Sequence, residues 1–303
     1  MNLLDQALQL DGYAILGAQA MRDQLGRLEG EFDSQWDAFC ASWNRLAPDP
    51  YLAQVGLNRR RRHAVGELTM ADGVLRFGPH QPHYQSRVYN ALQGGIERWF
   101  EPIEADIKSN ACLQALIRFA ATHFTWLKPE VSQWLIEVHQ FRIEATALQS
   151  GQPTPEGTHR DGVDYVLVSL MERNNIRSGT TSVHALDDGH ELAHFTLTRP
   201  LDTVLIDDRR LAHGVTPVEP DDASQPAWRD VLVITLRAAA SPTNPTASQA
   251  PAANPLRLAP NSAATPRDRA QSAPDHLGAC APPVRDRATA PQSQRPLRPQ
   301  WRQ

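Results

Sequence analysis

The chain has 303 residues, of which 41% are hydrophobic and 21% are charged, and its formal net charge is −4. This composition is typical of a globular protein with a substantial core, and the slightly acidic balance gives no electrostatic case for binding nucleic acid or a membrane surface. The three cysteines lie far apart, so they form neither a metal-spaced pair nor a disulfide framework. No stretch approaches the roughly 20 apolar residues of a membrane span, and no secretory signal begins the chain, so we expect a cytoplasmic location.

Residues 1–130 are predicted to be mainly helical, with short strand-like pieces. Residues 12–17 read as a strand between two glycines, and residues 21–28 as a short amphipathic helix. An aromatic stripe at helical spacing within residues 36–43 indicates a helix face packed on a core. A longer helix is expected at residues 107–126, where apolar side chains recur on one face.

Two polar segments interrupt this helical region. Arg59–Arg62 is a dense basic run, and a solvated or locally paired structural role is favoured for it over phosphate binding. The alternative is that one of these arginines faces an anionic substrate. The segment 80–90 is rich in hydrogen-bonding side chains and is equally consistent with a pocket wall and with a surface loop.

The pattern changes to short strands after residue 130. Strands are predicted at residues 134–143, 163–171, 180–186, 191–197, 203–206 and 231–236. Their spacing, without helices between them, favours an antiparallel jelly roll over a parallel α/β sheet. Residues 241–303 are rich in Pro, Ala, Ser and Arg and are predicted to be disordered. We therefore expect one domain over residues 1–240, with helical support in 1–130 and the jelly-roll core in 131–240.

A candidate metal site begins just before the second of these strands. His159 and Asp161 are two residues apart, so at the start of a strand their side chains would share a face. His213 follows a later strand and is the obvious third ligand. Two histidines and one carboxylate with open positions form the triad of non-haem Fe(II) oxygenases. Zinc accepts the same ligands, but a closed zinc site usually has four, often including cysteine.

Two arginines on strands are candidates for anion binding. Arg229 begins a strand on which every second residue shares its face, and an inward arginine beside a metal needs an anionic partner. The alternative is an arginine at a strand end with its head in water. Gln140 and Arg142 share a face of the first core strand, where polar residues alternate with apolar ones and suggest a lined cavity.

Several motifs, in their order along the chain, resemble those of a known family. The motifs are Thr154–Gly162, Arg173–Ile176, Asp207–Pro217 and Arg229–Val233, preceded by shorter matches between Gln85 and Pro102. Together they resemble the bacterial Fe(II)/2-oxoglutarate-dependent dioxygenases that hydroxylate free amino acids. The resemblance covers roughly residues 10–238; Ser178 stands where a glycine is expected.

The resemblance implies a double-stranded β-helix (jelly-roll, cupin-like) core of the α+β class, with helical support. His159, Asp161 and His213 fall on the metal triad, and Arg229 falls where an arginine that binds 2-oxoglutarate is expected. Fe(II), 2-oxoglutarate and O2 are the implied cofactor and cosubstrates, with succinate and CO2 as co-products. The implied partner is a small-molecule substrate, and neither nucleic acid nor membrane; the oligomeric state is unknown.

A free amino acid needs partners for its carboxylate and its ammonium group. The candidates are Arg142 with Gln140, and the polar residues Gln85, Tyr89 and Asn90. Two other functions stay open on the residues alone. One is a cupin-like metalloenzyme that does not use 2-oxoglutarate, and the other is a non-catalytic metal- or ligand-binding barrel.

Overall fold

The computed structural model describes residues 2–28 and 30–239. The segment predicted to be disordered, 241–303, lies outside the described residues. The helices are α1 (Leu3–Asp11), α2 (Ala18–Leu28), α3 (Phe32–Ala41), α4 (Pro50–Ala53), α5 (Ala105–Lys108) and α6 (Ala111–Leu127), with a 3-10 turn at Ser42–Arg45. Within the described ranges, no helix has both the length and the apolar character to cross a membrane.

The strands run from one end of this region to the other. They are β1 (Tyr13–Leu16), β2 (Ala47–Pro48), β3 (Arg59–Thr69), β4 (Leu75–Phe77), β5 (His83–Tyr84), β6 (Glu97–Arg98), β7 (Gln133–Ala145), β8 (Tyr165–Asn174), β9 (Ile176–Ser178), β10 (Thr181–Ala185), β11 (Glu191–Phe195), β12 (Thr203–Asp207), β13 (Leu211–Val215), β14 (Val218–Pro220) and β15 (Ala227–Ala238).

One large antiparallel sheet forms the centre of the fold. Its strand order is β1-β12-β8-β15-β7-β3-β2, with β4 paired to β3. A smaller sheet, β11-β10-β13, and the pair β14-β9 cover one face. Side chains alternate accordingly along β15: Leu232 and Ile234 pack in the cluster shared with the helices, whereas Val231 and Val233 pack toward the smaller strands. The predicted double-stranded β-helix core with helical support is confirmed.

The longest helix, α6, secures the other face of the sheet. Asn110 caps its first turn, because the side-chain Oδ1 accepts from the backbone N–H of Cys112 at 2.9 Å. Leu113 and Leu116 are fully buried, which is worth roughly 1.5–3 kcal/mol per side chain. Phe124 stacks on Tyr165 with 4.4 Å between ring centroids. Helix α6 therefore anchors the start of β8, directly after the candidate metal ligands.

Two expectations about the first half of the chain need correction. Residues 1–130 are not only helical support, because β3 pairs with β7 along its whole length and belongs to the central sheet. The basic run lies in that strand. The helix expected at residues 107–126 is divided into α5 and α6, because the cap at Asn110 starts a new helix.

Candidate metal centre and its cavity

Two histidines are brought together by a backbone bridge between the loop before β8 and strand β13. The N–H of His159 donates to the carbonyl of His213, and the N–H of His213 donates to the carbonyl of His159, both at 2.9 Å. Thr154 adds a second connection, since its Oγ1 accepts from the N–H of Val215 at 3.0 Å. Directly opposed residues of an antiparallel pair share a face, and the two imidazole centroids lie 4.8 Å apart.

A buried carboxylate fixes the next turn of the loop. Asp208 Oδ1 accepts from the N–H of Asp161 at 2.9 Å, and Oδ2 accepts from Gly162 and Val163 at 2.8 and 3.1 Å. Burial, and then the neighbouring Asp161 carboxylate, raise the pKa of Asp208 to about 6. The three donated hydrogen bonds hold the backbone of Asp161 rigidly, which pre-positions its side chain.

The expected strand geometry at this site is wrong in one respect. Strand β8 begins at Tyr165, so His159 and Asp161 lie in a loop and do not converge through strand alternation. Gly162 completes the loop at a φ of +80°, and a Cβ there would lie 2.4 Å from the ring of Tyr89. Only glycine fits this combination of backbone conformation and close approach.

The three candidate ligands converge without bonding one another. Nε2 of His159 lies 3.7 Å from Asp161 Oδ1, and Nε2 of His213 lies 3.8 Å from Asp161 Oδ2. These separations exceed hydrogen-bond length. Nδ1 of His159 lies 3.1 Å from the carbonyl oxygen of Gly157, so it carries the proton and leaves the Nε2 lone pair for a ligand bond. The donor set fits Fe(II) with open positions.

The electrostatics of the three ligands differ. Burial, and then His159, lower the pKa of His213 to about 4, so this imidazole is neutral at neutral pH. Burial opposes ionisation of His159, but Asp161 and Glu156 outweigh it and raise the pKa of His159 to about 9. Burial also opposes ionisation of Asp161, but His159 lowers its pKa to about 2. A metal ion binding here therefore displaces a proton from His159.

Arg229 is a buried cation, and in the part of the chain that the structure describes no carboxylate forms an ion pair with it. Its side chain is 2% exposed, and Nε and Nη2 have no hydrogen-bond partner among the described residues. Burial, and then the charge of Arg173, lower the pKa of Arg229 to about 10. The predicted face of β15 lines the cavity, with Arg229, Val231, Val233, Thr235 and Arg237 all in its wall. A buried unpaired guanidinium is costly, so these atoms fit the carboxylate of a bound ligand.

A cavity of about 120 Å³ lies beside the three ligands. Its walls carry more cations than anions: the arginines are Arg59, Arg61, Arg98, Arg229 and Arg237, and the carboxylates are Glu137, Glu156 and Asp161. Such a wall favours anionic ligands.

Three residues of the polar segment 80–90 were candidates for the pocket. Gln85 and Asn90 lie in the wall, and Gln85 Nε2 lies 3.4 Å from both Oδ1 and the backbone oxygen of Asp161. Tyr89 does not line the cavity; its ring packs on Gly162 instead. Tyr89 therefore supports the loop that carries Asp161.

The expectation for Gln140 and Arg142 is wrong, because they lie on the opposite face of β7. Arg142 Nε and Nη2 donate to Asp230 at 2.8 and 2.6 Å, and Gln140 Nε2 donates to Ser42 at 2.7 Å. Side chains on both faces of β7 are largely buried, so either face can carry paired polar groups. The cavity face of β7 carries Glu137, His139, Phe141 and Ile143.

The basic run divides between the two faces of β3. Arg60 donates to Glu144 at 2.8 Å, and Arg62 donates to the carbonyl of Pro102 at 2.7 Å, both away from the cavity. Arg59 and Arg61 face the cavity. Arg60 and Arg62 therefore have the locally paired structural role. The placement of Arg59 and Arg61 fits the alternative, in which an arginine of the run faces an anionic substrate.

Several cavity residues escaped the sequence reasoning. They are Arg98, Glu137, His139 and Glu156. One signal was available for two of them, since Glu137 and His139 are polar residues two apart and therefore share a face of a predicted strand. No feature of the sequence distinguished Arg98 from any other arginine near a strand end, because its burial depends on the tertiary packing.

Comparisons with known proteins point to one family. The family model described as 2OG-Fe dioxygenase matches residues 40–235. A 3(1)-hydroxy-L-isoleucine 4-dioxygenase of Pantoea ananatis is 27% identical over 237 residues, covering 76% of this chain and 93% of the relative. An L-isoleucine-4-hydroxylase of Bacillus thuringiensis is 30% identical over 157 residues, covering 50% of this chain and 64% of the relative.

A solved structure agrees with these sequence matches. The crystal structure of a BsmA homologue from Methylobium petroleophilum PM1 is similar at 36% identity and a TM-score of 0.69. The similarity covers 78% of this chain and 92% of that chain. The likeness therefore extends over the helices and both sheets and is not limited to the metal-ligand motif.

Proposed function

The chain belongs to the 2OG-Fe dioxygenase family, and from this premise we propose that it hydroxylates an unactivated C–H bond of a free L-amino acid. Members of the family use Fe(II), 2-oxoglutarate and O2. The observation that carries the proposal is one cavity with three converging metal ligands, an excess of cations, and a buried arginine whose Nε and Nη2 have no partner in the described ranges. The two curated relatives act on isoleucine or its hydroxylated form, which supports an amino acid as the substrate class.

In this proposal each group of residues has a separate task. His159, Asp161 and His213 hold the iron, and the fixed Nδ1 proton of His159 keeps its Nε2 available. Arg229 binds the distal carboxylate of 2-oxoglutarate through the Nε and Nη2 atoms that have no other partner. When bound, the iron with 2-oxoglutarate and O2 supplies the oxidation that protein side chains cannot perform.

The remaining task of the protein is to position the substrate. Gln85 contacts Asp161 from the cavity side and orients this carboxylate. The apolar surfaces of Val168, Val231 and Val233 in the wall exclude water and accommodate an aliphatic side chain. The cytoplasmic location expected from the sequence stays a prediction.

A mass-spectrometric screen tests the function. The standard L-amino acids are each incubated with the protein, Fe(II), 2-oxoglutarate and ascorbate in air. We expect at least one amino acid to gain one oxygen atom, with one succinate formed for each product. Omitting 2-oxoglutarate should abolish turnover. Turnover without 2-oxoglutarate would favour a cupin-like enzyme, and binding of iron with no consumption of O2 on any amino acid would contradict the proposal.

A further inference from the structure

A second group of cations lies in the cavity wall, apart from Arg229. Strand β3 contributes Arg59 and Arg61, and β6 contributes Arg98. Asp49 neutralises Arg59, which donates to its Oδ2 at 3.1 and 2.8 Å. Asp49 Oδ2 lies 3.8 Å from Arg61 Nη1, beyond hydrogen-bond distance. Arg59 and Arg61 therefore share one carboxylate, and the group keeps an excess of positive charge.

Arg98 is held in place by neutral groups. Its Nη1 and Nη2 each donate at 2.9 Å, to the amide oxygens of Gln93 and Gln85 respectively. Among the described residues no carboxylate lies within ion-pair distance of Arg98, although the side chain is only 2% exposed. Its Nε has no partner. A buried guanidinium fixed by neutral amides retains its full charge for a ligand.

Arg61 is arranged in a similar way. Its guanidinium lies 3.6 Å from the ring centroid of Phe100 and 4.5 Å from that of Phe141. Nη2 lies 2.8 Å from His139 Nδ1, to which it donates, and Nε has no partner. Aromatic packing and a neutral imidazole fix the orientation of the guanidinium without neutralising it.

One carboxylate in the same wall keeps a free oxygen. His63 Nε2 and His83 Nδ1 both donate to Oε2 of Glu137, at 3.1 and 2.7 Å. Within the described ranges Oε1 has no hydrogen-bond partner, and the side chain is 31% exposed. Burial opposes ionisation, but the two histidines hold the pKa of Glu137 well below its ordinary value, so it is anionic at neutral pH.

This cluster does not suit a second metal ion. His63, His83, Glu137 and His139 have ligand atoms within 4.8 Å of one another. However, Arg61 donates to Nδ1 of His139, which places the proton on Nε2, the atom nearest Glu137. A metal would need that lone pair and would lie beside a buried guanidinium. The histidines therefore orient Glu137.

We propose that Arg61 and Arg98 bind the α-carboxylate of the substrate and that Glu137 Oε1 binds its ammonium group. Only the His139 ring separates Arg61 from Glu137. Gln85 contacts both Arg98 and Asp161, so the carboxylate site lies one amide side chain from the metal ligands. An amino acid held there directs its side chain toward the iron.

The proposal rests on the proposed function and narrows it to α-amino acids with both charged groups free. An N-acylated or amidated amino acid would leave either Glu137 or the arginine pair unsatisfied in a buried site, which costs affinity. Linear peptides are excluded as substrates for the same reason, because none of their residues keeps both its α-ammonium and its α-carboxylate free.

Binding is measured by calorimetry on the anaerobic Fe(II) enzyme with 2-oxoglutarate. The ligands are the standard L-amino acids, their carboxamides and their N-acetyl derivatives. For each amino acid that binds, we expect the carboxamide and the N-acetyl form to bind at least about tenfold more weakly. Arg98→Gln should abolish the preference over the carboxamide, and Glu137→Gln should abolish the preference over the N-acetyl form.

The control is Arg60→Gln. Arg60 lies beside Arg61 on β3 but faces away from the cavity, so this variant should retain both preferences. Iron content and the affinity for 2-oxoglutarate are measured for every variant and should stay within about twofold of wild type. If Arg98→Gln does not fold, Arg61→Gln and Arg98→Lys replace it. The comparison of each amino acid with its carboxamide and its N-acetyl form on wild type tests the inference without any variant.

The outcomes separate this inference from the function. Hydroxylation of an amino acid whose carboxamide binds equally well overturns the inference and leaves the function intact. Selective binding without hydroxylation supports the inference and contradicts the function. An Arg98→Gln variant that loses 2-oxoglutarate and retains the amino acid reassigns the site to the cosubstrate, and binding of no free amino acid also overturns the inference.

Discussion

His159 and His213 exchange both backbone hydrogen bonds, each at 2.9 Å, although they belong to distant parts of the chain. Their relative position is therefore set by main-chain pairing and not by the imidazoles. A side chain can be removed from either residue without removing the pairing. This separation makes metal binding and folding independently measurable at this site.

The first prediction concerns the metal. His159→Ala and His213→Ala should each lose bound iron, because two protein ligands bind Fe(II) far more weakly than three. Their melting temperatures without metal should stay close to that of wild type, since the backbone bridge remains. Iron is measured by elemental analysis after anaerobic loading and dialysis. His194→Ala, at an exposed histidine paired with Glu191, is the control and should retain one equivalent.

The second prediction concerns Arg229. Arg229→Gln should weaken 2-oxoglutarate binding at least ~30-fold, since losing one partner of a buried charge pair costs about 2–5 kcal/mol. The ligand-free protein should not lose stability, because the arginine has no internal partner to abandon. Calorimetry and thermal melts check both statements. Arg177→Gln, which removes an exposed arginine paired with Glu219, should leave the affinity unchanged.

The third prediction uses two glycines with similar backbone conformation. Gly157 has a φ of +83° with nothing within 4 Å of an added Cβ, whereas Gly162 has a φ of +80° and meets Tyr89. Gly157→Ala should lose only about 1–2 kcal/mol of unfolding free energy from backbone strain. Gly162→Ala should lose more and also lower iron affinity, because the collision displaces Asp161. Equal effects of the two substitutions would show that the contact with Tyr89 is unimportant.

The fourth prediction tests the position of Arg142. Arg142→Met should lower the unfolding free energy by about 3–5 kcal/mol, because it leaves the carboxyl group of Asp230 buried without its partner. The double variant Arg142→Met/Asp230→Leu should recover much of this loss. Amino acid affinity of the folded protein should be unchanged in both. A selective loss of affinity without destabilisation would return Arg142 to the substrate site.

The fifth prediction concerns acid stability. A carboxyl whose pKa is lower in the folded than in the unfolded chain contributes stability above its ordinary value and loses it as the pH falls toward the folded value. The pKa of Glu137 is lowered from 4.5. At pH 7, wild type should therefore be more stable than Glu137→Gln, and this difference should shrink below about pH 4.5. Urea denaturation at several pH values checks this, with Glu67→Gln at an exposed position as the control.

Much of the metal centre was accessible from sequence because two of its three ligands are close together in the chain. His159 and Asp161 are close in the chain. The alternation along β15 showed which residues share a face with Arg229, even though the neighbouring strands were not known. The three ligands that the pattern suggested do converge. What the pattern missed was the cause of the convergence, since the cap from Asp208 depends on a contact between distant segments.

The substrate side of the cavity was less accessible because it depends on register. Both faces of β7 carry polar side chains, and only its pairing with β15 decides which face meets the cavity. Val233 lies opposite His139, so the cavity face of β15 continues through His139 and not through Arg142. No property of β7 alone distinguishes these alternatives.

The four consecutive arginines of β3 have a consequence for how the strand is aligned. A slip of one residue would exchange the arginines of the two faces, yet each face would still present two guanidinium groups. The charged residues therefore cannot specify their own alignment. Gly66 can: an added Cβ there would lie 2.9 Å from the carbonyl oxygen of Arg76, so only glycine is accommodated opposite β4. Gly66, a residue without a side chain, thus helps to fix which two arginines of β3 face the cavity.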